Sequence, residues 1–159
     1  MRHGFAGKPS PDPTIERNRP LLPEGVAMVK AVANAMGASD EIPNVIFCSP
    51  LVRATMTADI VGKLLGVQVN VVGDLSPNRP LDEGILSLIG RRDEAIKRVM
   101  IVGHVDNTTP AMRAFGGDQK WKSLVMAECR RVNISRKDGS WKLKWCVAPS
   151  DLGLKDYDS

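Results

Sequence analysis

Histidine is scarce in this chain: among 159 residues there are two, His3 and His104. Aromatic residues are also few, at 4%, which leaves little material for a platform on which nucleic-acid bases stack. No apolar run approaches the roughly 20 residues that a membrane-spanning helix needs. No signal-peptide-like apolar stretch follows the N-terminus either. A cytoplasmic location without membrane association is the expectation. Cys48, Cys129 and Cys146 make an odd number, and their spacing fits neither a disulfide framework nor a metal site. Reduced thiols are expected, with no metal and no cofactor. A net charge of +4 favours anionic partners but is too mild for a nucleic-acid footprint. Internal repeats and long low-complexity segments are absent. The chain reads as one domain over 1–149, large enough to bury a core, followed by an acidic, flexible tail over 150–159.

Within that domain, strand and helix patterns alternate. After Met1–Ala6 comes a loop from Lys8 to Pro23, rich in Pro, Asp, Asn and Arg. Pro23 opens a helix, Val26, Val29, Ala33 and Met36 share one face, and Gly37 ends it. Asn44–Cys48 is a buried strand that runs into Ser49-Pro50, a side-chain cap followed by a first-turn proline. The next helix carries Val52, Met56, Ile60 and Leu64 as its buried stripe. Val67–Val72 is a further strand, closed by Gly73 and Asp74. A helix follows over Leu81–Leu88, with Ile85, Leu88 and Ile89 inward. Arg98–Val102 is the next buried strand, ending at Gly103-His104. A short helix capped by Asn107 or Thr108 then runs to Phe115 and stops at Gly116-Gly117. Last comes an antiparallel hairpin, Arg130–Arg136 with Trp141–Val147, turning at Asp138-Gly139. Its register would set Ile134 opposite Leu143, Val132 opposite Trp145 and Arg131 opposite Cys146, with one apolar face toward the core. Strands alternating with helices indicate an α/β fold with a mainly parallel sheet.

Both histidines fall where a strand ends. Arg2-His3-Gly4 can expose an imidazole and bend away at once through glycine. An adjacent arginine keeps that imidazole neutral, hence nucleophilic, and its fork suits phosphoryl oxygens. Arg53 lies in the first turn of the helix after Ser49-Pro50, where unpaired N–H groups and the helix dipole already favour an anion. His104 emerges on the same sheet edge. Asp82 and Glu83 either favour a helix N-terminus or supply a proton donor.

Taken together and in order, Arg2-His3-Gly4, Ser49-Pro50-Leu51-Val52-Arg53-Ala54 and Val102-Gly103-His104 resemble the histidine phosphatase superfamily. The chain is most similar to the small phosphohistidine phosphatases of the SixA type, over Arg2 to about Pro149. The resemblance implies a phosphoglycerate mutase-like three-layer sandwich, its mainly parallel sheet flanked by helices and completed by the hairpin. It implies that His3 is phosphorylated during turnover and that Arg2, Arg53 and His104 clamp the phosphoryl oxygens. Arg19-Pro20-Leu21 resembles an Arg-Pro-Leu segment of the SixA type, which makes Arg19 a further phosphate ligand. The substrate implied is a protein phosphohistidine or a small phosphomonoester. A non-catalytic phosphate-binding module and a phosphoglycerate mutase-type phosphotransferase are the alternatives. Two features depart from the family pattern. Only Met1 stands where the family has an apolar strand before Arg-His-Gly, so either the strand continues upstream or the sheet closes around a stub. Val105-Asp106-Asn107 after His104 is similar to the His-Asp-x-Asn of the acid phosphatase branch with the Asp one place late. Asp106 is thus either a proton donor or a cap of the next helix.

Overall fold

The computed structural model describes residues 1–77, 97–106, 108–109, 122–135, 137–138 and 140–157. Its centre is β1 (Val45–Cys48), whose Ile46 and Cys48 are fully buried. Parallel partners lie on both sides, β2 (Val69–Val71) and β3 (Val99–Val102), in the order β2-β1-β3. A run of Val, Ile and Phe without polar alternation suits a strand covered on both faces. A separate antiparallel pair, β4 (Cys129–Ile134) with β5 (Trp141–Val147), ends the mixed α/β architecture expected from the sequence.

Residues 1–3 join these two parts. Arg2 bridges Gly103 in parallel, with the His3 N–H donating to Gly103 O and the Gly103 N–H to Met1 O, both at 3.1 Å. On the other side the Arg2 N–H donates to Glu128 O and the Ala127 N–H to His3 O. This stub therefore lies between β3 and the chain entering β4, with its backbone groups paired on both edges.

Three helices support that arrangement. The loop expected over 8–23 contains a short one, α1 (Pro13–Asn18), whose N-terminal Thr14 and Ile15 amides donate to the Asp12 carboxylate. Helix α2 (Pro23–Ala38) opens at Pro23 as expected but runs through Gly37 and closes at Ser39. Gly37 does not take the left-handed conformation that a glycine stop uses, so the helix passes through it. Helix α3 (Val52–Leu65) ends at Gly66, left-handed at φ 68°. Its buried stripe is not the expected one. Ala54, Thr57, Ala58, Val61 and Gly62 face inward, while Val52, Met56 and Ile60 are half-buried and Leu64 is exposed. The reason is distance. A Cβ on Gly62 would stand 2.7 Å from Val69 Cγ2 on β2, so small side chains are needed where this helix meets the sheet.

The hairpin register also differs from expectation. Val132 pairs with Leu143, Arg131 with Trp145 and Arg130 with Cys146, and Lys144 is left over at a bulge. The turn is longer than two residues, because the Ser135 N–H donates to Ser140 O and the Asp138 carboxylate accepts from Ser140 N and Oγ. The apolar face does not persist to the tip: Ile134 and Leu143 are exposed, and among the described side chains of the two strands only Cys129 and Val147 are buried. Beyond 149, Pro149–Leu152 forms a 3-10 turn, and the Tyr157 ring stacks on Phe5 at 4.1 Å between centroids. No described helix is long and apolar enough to cross a membrane. The expected helix over 81–88, with Asp82 and Glu83, and the glycine stop at 116–117 lie outside the described residues.

The N-terminal segment packs against α2 through two glycines. A Cβ on Gly25 would stand 2.0 Å from Phe5 O, and one on Gly4 would stand 2.7 Å from Val29 Cγ2. Gly4 is needed for this approach rather than for a left-handed turn. Gly25→Ala is accordingly expected to destabilise the fold by about 3 kcal/mol or more, since its methyl meets backbone that cannot repack. Urea unfolding of the variant beside the wild type measures this.

Candidate active site

The sheet's carboxyl edge opens into a cleft of about 680 Å³ whose walls include Arg2, His3, Arg53, His104, Arg19 and Asp106. Arg2, His3, Arg53 and His104 are each at most 5% exposed, so the sequence-predicted quartet converges on one place. The two imidazoles lie 5.2 Å apart between centroids.

His3 has one chemically available nitrogen. Its Nδ1 lies 2.8 Å from Gly4 O, and a carbonyl only accepts, so Nδ1 carries the proton. The lone pair is then on Nε2, where it accepts from Arg53 Nε at 3.3 Å. The ring stays neutral well below its usual range. Burial pushes its pKa down to about 3, the Gly4 carbonyl pulls against that, and the Arg53, Arg2 and Arg19 cations push further down.

Arg53 leaves the first turn of α3, as expected from its position after β1. Its Nη1 donates to Glu16 O at 2.8 Å and its Nη2 meets Glu16 Oε1 at 3.0 Å. The Arg53 carbonyl accepts from Thr57 Oγ1, which itself accepts from the Gly4 N–H at 3.0 Å. Helix α3 therefore carries both the arginine and a peg that fixes the backbone next to His3. Arg2, on the stub, donates from Nη1 to Leu124 O at 2.8 Å.

His104 follows β3 and Gly103. Its Nε2 lies 2.9 Å from Ser49 Oγ, and burial followed by the His3 and Arg53 neighbours pushes its pKa down to about 3. Ser49 is fully buried and does not cap α3, whose N-cap residue is Leu51. Its oxygen accepts weakly from the Leu51 N–H at 3.3 Å and otherwise faces His104. Residues 105, 106, 108 and 109 are helical, and the Thr108 N–H donates to His104 O. The helix thus starts directly at His104, ahead of the caps expected at Asn107 or Thr108. Asp106 lies inside that first turn, exposed and lining the cleft, and its charge acts on Arg53.

Arg19 reaches the cleft with most of its donors already engaged. Nε and Nη2 bind the Glu16 carboxylate, and Nη1 donates to Ala6 O and Gly7 O. The sequence marks Ser49 only as a helix cap within its motif and does not single out Thr57 or Glu16. Asp12-Pro13, a capping residue before a first-turn proline, was the available signal for the helix that presents Glu16. Among the described residues no three His, Cys, Asp or Glu side chains gather in a way that could hold a metal ion.

Residues 1–76 match the family model of the histidine phosphatase superfamily, branch 1. The resemblance read from the motifs is borne out. The matched span holds Arg2, His3, Arg19 and Arg53, while His104 lies beyond it. No curated protein matches the chain in sequence. Solved structures match it closely in shape. The protein histidine phosphatase SixA in complex with tungstate is 20% identical, with 96% of each chain covered and a TM-score of 0.84. SixA of Agrobacterium tumefaciens is 22% identical over 93% of this chain and 94% of that one, with a TM-score of 0.79. The mycobacterial glucosyl-3-phosphoglycerate phosphatase with inorganic phosphate is 16% identical over 93% and 95%, at 0.68. The histidine phosphatase fold is therefore common to all four chains.

The two depressed histidines make stability pH-dependent with a definite sign. Below their ordinary value of 6.5 the unfolded chain takes up protons that the folded chain refuses, down to about 3. Stability is full above pH 6.5 and falls as pH drops, by up to about 1.4 kcal/mol per pH unit per histidine. Urea unfolding between pH 6.5 and 5.5, above the ordinary value of 4.5 at which unfolded Glu16 takes up its proton, should show the fall, and His104→Gln should make it shallower.

Proposed function

We propose that the chain is a phosphatase that passes its substrate's phosphoryl group through a phosphohistidine on His3. The observation that carries this is the state of His3: Nδ1–H tied to Gly4 O, the ring neutral, and the Nε2 lone pair beside Arg53. A buried neutral imidazole with one fixed lone pair is a prepared nucleophile. In the reading, Nε2 attacks phosphorus in line, the bond to the leaving group breaks, and the leaving group takes the bonding pair, as an imidazole already protonated or as a stabilised phenolate. Arg2, Arg53 and His104 hold the three peripheral oxygens, whose charge needs positioned donors more than covalent help. Water then attacks phosphorus, the P–N bond breaks as the O–P bond forms, and inorganic phosphate and the neutral imidazole result. The likeness to a SixA bound to tungstate, a tetrahedral oxyanion, supports the choice of ligand.

Rapid acid-free quench after mixing with p-nitrophenyl phosphate is expected to trap acid-labile, base-stable phosphate on the protein. His3→Ala should abolish both this label and turnover. Turnover retained in that variant would place the chemistry elsewhere.

The leaving group decides the substrate class. An alkoxide leaves poorly unless a placed acid protonates it, an effect worth about a hundredfold or more. Glu16 cannot serve, because its hydrogen bond with Arg19 holds its pKa down to about 2. Asp106 is the other carboxylate of the described cleft wall. An imidazole leaving group is protonated before the bond breaks and needs little such help. We therefore assign phosphohistidine as the preferred substrate class, with activated esters ahead of alkyl phosphates. The check is kcat/KM on p-nitrophenyl phosphate, an alkyl phosphate and a phosphohistidine protein for wild type and Asp106→Asn. Equal rates on both ester classes, with a large loss in Asp106→Asn, would instead identify a phosphomonoesterase with Asp106 as its acid.

A further inference from the structure

Arg53 is gripped from the side away from His3. Glu16 does this with two different groups, its main-chain oxygen on Nη1 at 2.8 Å and its carboxylate on Nη2 at 3.0 Å. The remaining edge of the guanidinium, Nε–H, is left pointing at His3 Nε2 at 3.3 Å. Glu16 is itself braced. Oε1 accepts from Arg19 Nη2 at 2.7 Å, and Oε2 accepts from Arg19 Nε at 3.0 Å and from the Ser10 N–H at 2.9 Å. Arg19 in turn holds the chain after the Arg-His-Gly turn through Ala6 O and Gly7 O.

We propose that Glu16 is a positioning residue for the phosphatase reaction, aiming the Nε–H edge of Arg53 at an oxygen of the phosphoryl group whose phosphorus bonds to His3 Nε2. The inference rests on the phosphatase reading and extends it to a residue outside the expected quartet. A guanidinium on a flexible stem can turn any of its N–H groups toward a ligand, so a fixed edge needs a hold on the other two nitrogens. Glu16 supplies that hold, and its charge also separates two guanidinium groups, Arg19 and Arg53, that would otherwise repel each other. The competing role is a plug, in which the carboxylate occupies donors meant for phosphate. The geometry favours positioning. A main-chain carbonyl on Nη1 cannot be displaced by an anion unless α1 moves, and the carboxylate is already engaged by Arg19 and Ser10. Helix α1 contributes no buried residue, so a change at Glu16 leaves the core intact.

The experiment compares wild type, Glu16→Ala and Glu16→Gln in kcat and KM on p-nitrophenyl phosphate, in binding of inorganic phosphate by calorimetry, and in urea stability. Glu16→Ala is expected to lower kcat about tenfold or more, as misplacement of a catalytic donor does. It should also weaken phosphate binding and, by leaving Arg53 and Arg19 without their carboxylate, lower stability. Both kcat and binding are read under conditions where urea unfolding shows the variant folded. Glu16→Gln, which keeps an amide oxygen for Arg53, should recover part of kcat. Unchanged kcat and phosphate affinity would overturn the proposal, and so would tighter phosphate binding, which is the signature of a plug. A wild type that binds phosphate without turnover would defeat the phosphatase reading instead. The phosphate affinities of the variants would then decide about Glu16 by the same criterion.

Discussion

One hydrogen bond, from His3 Nδ1 to the carbonyl of the next residue, governs the chemistry of this cleft. It selects the imidazole tautomer, and with it the nitrogen that faces Arg53. The bond exists only if the backbone around Gly4 is held in one conformation, and three contacts hold it. The Gly4 N–H reaches Thr57 on α3, Phe5 O accepts from Leu22 N at the start of α2, and Gly25 removes the side chain that would keep Phe5 away. Two helices distant in sequence thus fix one short stretch of backbone, residues 3 to 5.

The electrostatics of the cleft follow from burial. Guanidinium groups taken out of water are costly unless paired. Arg53 is paired with Glu16, Arg19 with Glu16 and two carbonyls, and Arg2 with Leu124 O. Neither histidine bears a charge under these conditions, since burial and the surrounding cations both oppose protonation. The result is a concave positive surface around two neutral imidazoles. One of these holds a lone pair toward Arg53, and the other is tied to Ser49.

The residues of the cleft also mark where the two parts of the sheet structure meet. Met1–His3 pair with β3 on one side and with the chain before β4 on the other. Arg2 extends from this seam to Leu124, just ahead of β4. The C-terminal segment reaches the same region, with Tyr157 stacked on Phe5. The cleft therefore lies at the seam of these parts, with walls drawn from Arg2 to Met126.

The sequence by itself determined the alternation of strands and helices, the strand ends that carry His3 and His104, and the helix turn that carries Arg53. These are set by patterns within a few residues: apolar runs, a proline at a helix start, a glycine after a strand. The family resemblance was legible for the same reason, because its motifs are short and ordered. Tertiary structure alone decided the rest. Which histidine nitrogen is free depends on a peptide fixed by α2 and α3. Ser49 reads locally as a cap, yet its partner is a histidine 55 residues away. Glu16 reads as a surface charge, and its role comes from Arg53, 37 positions on. The face of α3 turned inward was set by how closely the helix approaches the sheet, a distance that favours alanine and glycine over the larger apolar residues. Local patterns fix what each segment becomes. Contacts between residues far apart in the chain fix which atoms meet, and the chemistry depends on those atoms.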